Sequence, residues 1–193
     1  MDSQIRAHFK KKSTLYREQC PEKCAEFDEK LAKIDPVTIV YVDESGLDQS
    51  LFRLRARATR GEKVYAKIPG VRTRRLNIIG APMSKKFFAP LTFRGSCNTD
   101  VVNYWFKNIL LPEIPKGTTI VMDNASFHKD ESTLKLIEDA GCHLLFLPPY
   151  SPERNKIENC WHVVKSKARP LIQGINRTLE EFDILVGEIL MTI

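Results

Sequence analysis

Three acidic residues stand where an acid is costly to place without a purpose. Asp43 follows the apolar run Val37–Val42 (VTIVYV) and Asp123 follows Thr118–Met122 (TTIVM). Both runs are rich in β-branched side chains and read as buried strands, so each carboxylate must meet a partner or a cation to offset its desolvation. Glu158 falls in the first turns of a later helix, beside Ile157 and Trp161, which are four apart and face the core together. Three carboxylates converging at strand ends offer only oxygen donors. That set suits hard divalent ions, and two such ions about 3.5–4 Å apart clamp the attacking and leaving oxygens of phosphoryl transfer. Each acid taken alone has a plainer reading, in which it caps a strand, accepts from a turn amide or pairs with a nearby base.

Other chemistries find less support. There is no glycine-rich phosphate loop, no zinc-finger spacing and no G-x-S-x-G elbow. Cys20 and Cys24 in CPEKC lack a second pair that would complete a structural zinc set. Cys142 with His143 or His128 as a thiol and base lacks an orienting third residue. The five cysteines, odd in number and irregularly spaced, read as free thiols of a reducing compartment.

The elements that must position the acids follow from periodicity and breakers. Residues 5–33 have helix-forming composition and Pro36 ends the pattern. After the first strand and Gly46 comes a polar, basic stretch, then two strands at Arg75–Met83 and Phe87–Phe93 that could pair antiparallel. Asn98–Leu111 carries Val101, Val102, Trp105, Phe106, Ile109 and Leu110 at helical spacing, with Asn98 or Thr99 as cap and Pro112 as stop. Trp105 reads as core. The fourth strand ends at Met122, a helix spans Ser132–Ala140 before Gly141, and His143–Leu147 makes a fifth strand. The prolines of PPYSPERN form a loop ahead of a helix from Pro152 or Glu153 to Ala168, closed by Pro170. A last amphipathic helix, Leu179–Met191, packs on the outside. The result is an α/β chain with a mixed five-stranded sheet flanked by helices, divided into an N-terminal helical segment (1–36) and one domain (37–193).

Composition fits this. The chain has 193 residues, 42% of them hydrophobic, enough for one sizeable core. No run is long and apolar enough to span a bilayer and the N-terminus lacks a secretory pattern, so a cytoplasmic protein is expected. Thirty basic residues against 24 acidic ones give a net charge of +6. Arg53, Arg55, Arg57, Arg60, Lys63, Lys67, Arg72, Arg74 and Arg75 crowd one stretch that holds a single acid, Glu62. Such a stretch is a solvated hairpin face or a surface for DNA phosphates, where cations displace counterions.

The segments VDESG (42–46), MDNASFH (122–128) and LPPYSPERNKIENCW (147–161) resemble the signatures of mariner-type DDE transposases, above all their bacterial insertion-sequence branch. The 34 residues between Asp123 and Glu158 match that superfamily's spacing. Lys156 departs from the proline common there, at a first-turn position that accepts either. The resemblance covers roughly residues 37–168. It implies a ribonuclease H-like fold, with Asp43, Asp123 and Glu158 as catalytic ligands of two Mg2+ ions, Mn2+ substituting, and Asn124, His128 and Asn155 in supporting roles. His128 would touch DNA, order the site or satisfy a loop carbonyl.

The implied activity is DNA cleavage at transposon ends followed by attack of the freed 3′-hydroxyl on target DNA, without a covalent protein intermediate. Implied partners are the terminal inverted repeats, a target with TA preference and a second copy of the chain, in the nucleoid of a bacterium. Only 36 residues precede the first strand. That is too few for the paired helix-turn-helix modules of such enzymes, so a catalytic domain alone is expected, served by a separate helix-turn-helix polypeptide, truncated, or left as an inactive remnant. The alternative is a non-catalytic DNA-binding or dimerising regulator derived from a transposase.

Overall fold

A computed structural model describes residues 16–48, 57–65, 70, 75–83, 86–172 and 178–192. The first helix, α1 (Pro21–Ala32), is shorter than the span expected. Pro21 starts it, where a fixed φ suits the first turn and the missing N–H is no loss. Residues 16–20 precede it without helix, and 5–15 lie outside the described residues. Cys24 and Phe27, three apart, supply its buried face.

The central strands are β1 (Ile39–Tyr41), β2 (Asp43–Asp48), β3 (Arg75–Met83), β4 (Lys86–Phe93), β5 (Thr119–Met122) and β6 (His143–Phe146). Among the described residues six strands stand where five were expected, and β2 is the addition. Its sequence, DESGLD, has poor strand propensity. It is extended because every residue from Asp43 to Asp48 pairs with β3, from Gly80 down to Arg75. β1 meets β3 in the same register, Val40 opposite Met83. The two are one line of chain interrupted at Val42, whose N–H turns to the Val121 carbonyl of β5 at 2.8 Å. The sheet is therefore five strands wide. β5 lies parallel to β1 on one side and to β6 on the other, while β3 and β4 are antiparallel, as expected for them. A bulge interrupts β3–β4 at Gly80, where a Cβ would sit 2.4 Å from the Phe87 ring.

Strand alternation sends side chains into two cores. Ile39, Tyr41 and Val121 join Phe27, Ile157, Trp161 and Val164 on one face. Val40, Val42, Ile120 and Met122 join Val102, Trp105, Phe106 and Ile137 on the other. The second face is covered by α2 (Thr99–Trp105) and α3 (Glu131–Asp139). Asn98 caps α2, accepting from Val101 N–H at 3.0 Å. α2 is shorter than expected; a wide turn over Phe106–Leu110 and a tight one over Leu111–Glu113 complete the span. Trp105 is fully buried, its indole N–H donating to the Ala89 carbonyl.

The first face is covered by α4 (Ile157–Ile172) and α5 (Leu179–Leu190). α4 differs from expectation at both ends. Pro152–Arg154 form a separate tight turn, and the extended Asn155 delays the helix to Ile157. Pro170 does not stop it, because the ring faces solvent near the helix end, where water can serve the carbonyl left without a donor. α5, expected to pack on the outside, contributes Phe182, Val186, Ile189 and Leu190 to the core. Among the described residues no helix is long and apolar enough to cross a membrane.

Candidate active site

Three elements deliver the three acids to one open cleft of about 600 Å3. Asp43 opens β2, Asp123 follows β5 directly, and Glu158 is the second residue of α4. The parallel pairing of β1 with β5 puts Tyr41 beside Val121, so Asp43 and Asp123, each two residues further on, come at the same end of the two strands. The loop Leu147–Pro152 forms the opposite wall, with Tyr16 and Asn155.

Each aspartate has one oxygen engaged. Asp43 Oδ1 accepts from Glu44 N–H at 2.8 Å. Asp123 Oδ1 accepts from Ala125 N–H at 3.0 Å and from the His128 ring at 2.7 Å. Burial, then the charge of Glu44 and those of Glu158 and Asp123, push the Asp43 carboxyl up to about 7. Burial pulls Asp123 the same way, but the His128 and Ala125 donors outweigh it and hold its pKa below the usual value. Oxygen-only donors, among which the charges of Glu158 and Asp123 add to Asp43's cost of ionisation, fit a hard divalent cation, which would relieve that repulsion. Among the described residues no three His, Cys, Asp or Glu side chains stand close enough to grip one ion together. The three acids share one cleft.

The supporting residues take distinct places. Asn124 donates from its side chain to the Leu147 carbonyl, fastening the Asp123 segment to the far wall. Asn155 is 5% exposed and its buried side-chain oxygen has no hydrogen-bond partner. His128 lies on a tight turn, Ser126–Lys129, and is 0% exposed, with one ring nitrogen on Asp123. Its second nitrogen lies 2.9 Å from Glu44 Oε1. Burial alone would lower the pKa of this ring, but two carboxylate partners outweigh it and push it up to about 9.

Glu44 escaped sequence reasoning, although an acid next to Asp43 on a strand had to point to the opposite side. It lines a neighbouring hollow with Arg75, Asn77 and Cys97. Tyr150 was also missed. It lines the cleft, is 55% exposed and adopts φ 56°, a backbone conformation rare for its residue type.

Of the basic stretch, Arg57, Arg60 and Lys63 are exposed on irregular chain, and Arg75 is exposed at the start of β3, donating to Asn77 at 3.0 Å. None of the four lines the cleft with the acids. Arg53, Arg55, Lys67, Arg72 and Arg74 lie outside the described residues. The thiols act separately: Cys20 meets Glu22, Cys24 meets Ser151 and Cys142 meets the Pro115 carbonyl.

A model of the DDE superfamily endonuclease family matches residues 38–178. Among solved structures, the Mos1 transposase paired-end complex with left transposon end is similar at a TM-score of 0.74 and 12% identity, over 98% of this chain and 60% of that one. The Mos1 Strand Transfer Complex gives 0.72 and 13%, over 98% and 60%. The catalytic domain of Mos1 mariner transposase gives 0.65 and 13%, over 94% and 85%. The chain thus spans about three fifths of the longer structures it resembles. At these identities the likeness concerns the fold, which is ribonuclease H-like as expected. No curated protein matches the sequence significantly.

Proposed function

Because the chain belongs to the DDE superfamily of endonucleases, we propose that it is the catalytic domain of a transposase, of the bacterial insertion-sequence branch, that cleaves DNA at transposon ends and transfers the strand to a target. The observation that carries this reading is the meeting of Asp43, Asp123 and Glu158, from three separate elements, in one open cleft.

Asp43, Asp123 and Glu158 would hold two Mg2+ ions, or Mn2+. When bound, such ions supply Lewis-acid stabilisation of the oxygens that gain charge during phosphoryl transfer. The chain's own residues prepare for this. Glu44 N–H and Ala125 N–H each fix one oxygen of an aspartate. Asn124 secures the Asp123 segment to the facing loop, and Glu158 enters on the first turn of a helix anchored by Ile157 and Trp161. Structures of the Mos1 paired-end complex with Mn and with Mg are among the similar folds, in keeping with divalent-ion use.

The wider reading assigns the domain to 37–193 with 1–36 as a helical segment ahead of it. Its partners are terminal inverted repeats, a TA-containing target, a second copy of the chain and a separate helix-turn-helix polypeptide, in the nucleoid of a bacterium. Arg53, Arg55, Arg57, Arg60, Lys63, Arg72, Arg74 and Arg75 would contact DNA phosphates.

The deciding experiment is nicking and strand transfer on a labelled duplex with Mg2+, Mn2+ or chelator, comparing wild type with Asp123→Ala. Metal-dependent products lost in the variant are expected. Products that survive Asp123→Ala would overturn the assignment of the acids. DNA binding without cleavage, even on pre-nicked ends supplied with a helix-turn-helix partner, would favour the non-catalytic regulator.

A further inference from the structure

This inference rests on the reading of Asp43, Asp123 and Glu158 as cation ligands and concerns a residue outside that set. Glu44 touches both aspartate systems. Its main-chain N–H donates to Asp43 Oδ1 at 2.8 Å. Its Oε1 lies 2.9 Å from His128 Nε2, and the other nitrogen of the same ring lies 2.7 Å from Asp123 Oδ1. Cys97 Sγ donates to the same Oε1 at 3.5 Å. The glutamate side chain is 16% exposed and the histidine ring 0%, so water competes little for these contacts.

We propose that Glu44 is the positioning residue of the site, setting Asp43 through its main chain and Asp123 through the His128 ring. Asp123 Oδ1 takes two donors, from Ala125 and His128. Together they fill that oxygen and leave the second one for the cleft. Engagement of the far nitrogen holds the imidazole against rotation about its Cβ–Cγ bond, which would carry the near nitrogen away from Asp123. Glu44 supplies the second end. It is not a ligand itself, since it lines the hollow beside the cleft rather than the cleft shared by the three acids. Outer carboxylates that orient a histidine commonly matter to metal affinity by about 10–100-fold. Here the chain is one member longer, running from glutamate through histidine to the aspartate.

The test is Mn2+ affinity of the folded chain without DNA, by calorimetry or by spin resonance of free Mn2+, beside circular dichroism and melting. Glu44→Ala is expected to weaken Mn2+ binding by about 10–100-fold. Glu44→Gln keeps an oxygen that can accept from the ring and is expected to stay within about threefold of wild type. Wild-type affinity in a folded Glu44→Ala variant would overturn the proposal, as would equal loss in the alanine and glutamine variants. Should the alanine variant not fold, Glu44→Asp retains the charge but withdraws it by one methylene. Its loss of affinity supports the proposal and its retention overturns it. Asp123→Ala separates the two levels. If that variant loses Mn2+ while Glu44→Ala does not, positioning fails alone; if Asp123→Ala binds Mn2+ normally, the ligand assignment fails and the proposal with it.

Discussion

Arg154 and Asp28, 126 positions apart, are joined by two parallel hydrogen bonds, Nε to Oδ1 at 2.9 Å and Nη2 to Oδ2 at 2.8 Å. They tie α1 to the tight turn ahead of Glu158. Gln19 adds a bond from its side-chain amide to Ser151 Oγ at 2.9 Å, and Tyr16 lies 6.0 Å from Tyr150, ring to ring. The N-terminal segment thereby props the loop that forms one wall of the cleft.

The pair is partly exposed, so its contribution to stability is small, about 0.5–1 kcal/mol. Arg154→Ala and Asp28→Ala should each lower the melting temperature by about 1–4 °C. The double variant should melt no lower than the worse single one. Additive losses in a thermal double-mutant cycle would show that the two residues act independently.

The Asp43 carboxyl, raised by burial to about 7 against an ordinary 3.8, gives a pH signature. Below 3.8 it is neutral in both folded and unfolded chains. Between 3.8 and 7 only the unfolded chain ionises, so without metal Asp43 lowers stability as pH rises, and above 7 its cost is constant. Asp43→Asn should flatten that part of the slope. Cations bind the ionised form, so the rise in melting temperature on adding Mg2+ should be larger at pH 8 than at pH 6. An equal rise at both would contradict this account.

His128 gives a slope of the same sign at higher pH, but from a charged form that its neighbours stabilise. Burial opposes its charge, but Asp123 and Glu44 prevail and raise its pKa from 6.5 to about 9. The stability it contributes is fully present below pH 6.5 and is lost as pH climbs through 9. Urea titrations of wild type and His128→Asn should therefore converge between pH 6.5 and 9. A gap that widens with pH would contradict the ring's role as a charged link.

Trp161 seats α4 on the sheet. It is buried, with its ring edge-on to Phe87 at 5.4 Å. Trp161→Ala should cost about 3–5 kcal/mol in denaturant unfolding. Trp161→Phe, which keeps the ring contact, should cost clearly less, and equal losses would mean that packing against Phe87 contributes nothing.

Much of this was legible from local pattern. The runs Ile39–Val42 and Thr119–Met122 are β-branched and bury side chains on both faces, so periodicity and propensity agreed on strands there. α3 and α5 carry amphipathic spacing and lie within a residue or so of their expected bounds. Reading failed where tertiary contact overrode propensity. DESGLD is extended because β3 pairs with it residue by residue. α4 begins late and runs past Pro170, for reasons of cap geometry and solvent access at single positions.

Local pattern sufficed for the kinds of element, the placing of Asp43 and Asp123 at strand ends and of Glu158 early on a helix, and the spacing between the last two. These depend on neighbours a few residues apart, which strand and helix periods encode directly. Only the tertiary structure decided the partners: Glu44 meeting His128 across 84 positions, Asp28 meeting Arg154 across 126, and β2 continuing β1 along β3. Such pairings depend on how the sheet brings distant chain segments to within about 3 Å, a hydrogen-bonding distance that no local period specifies.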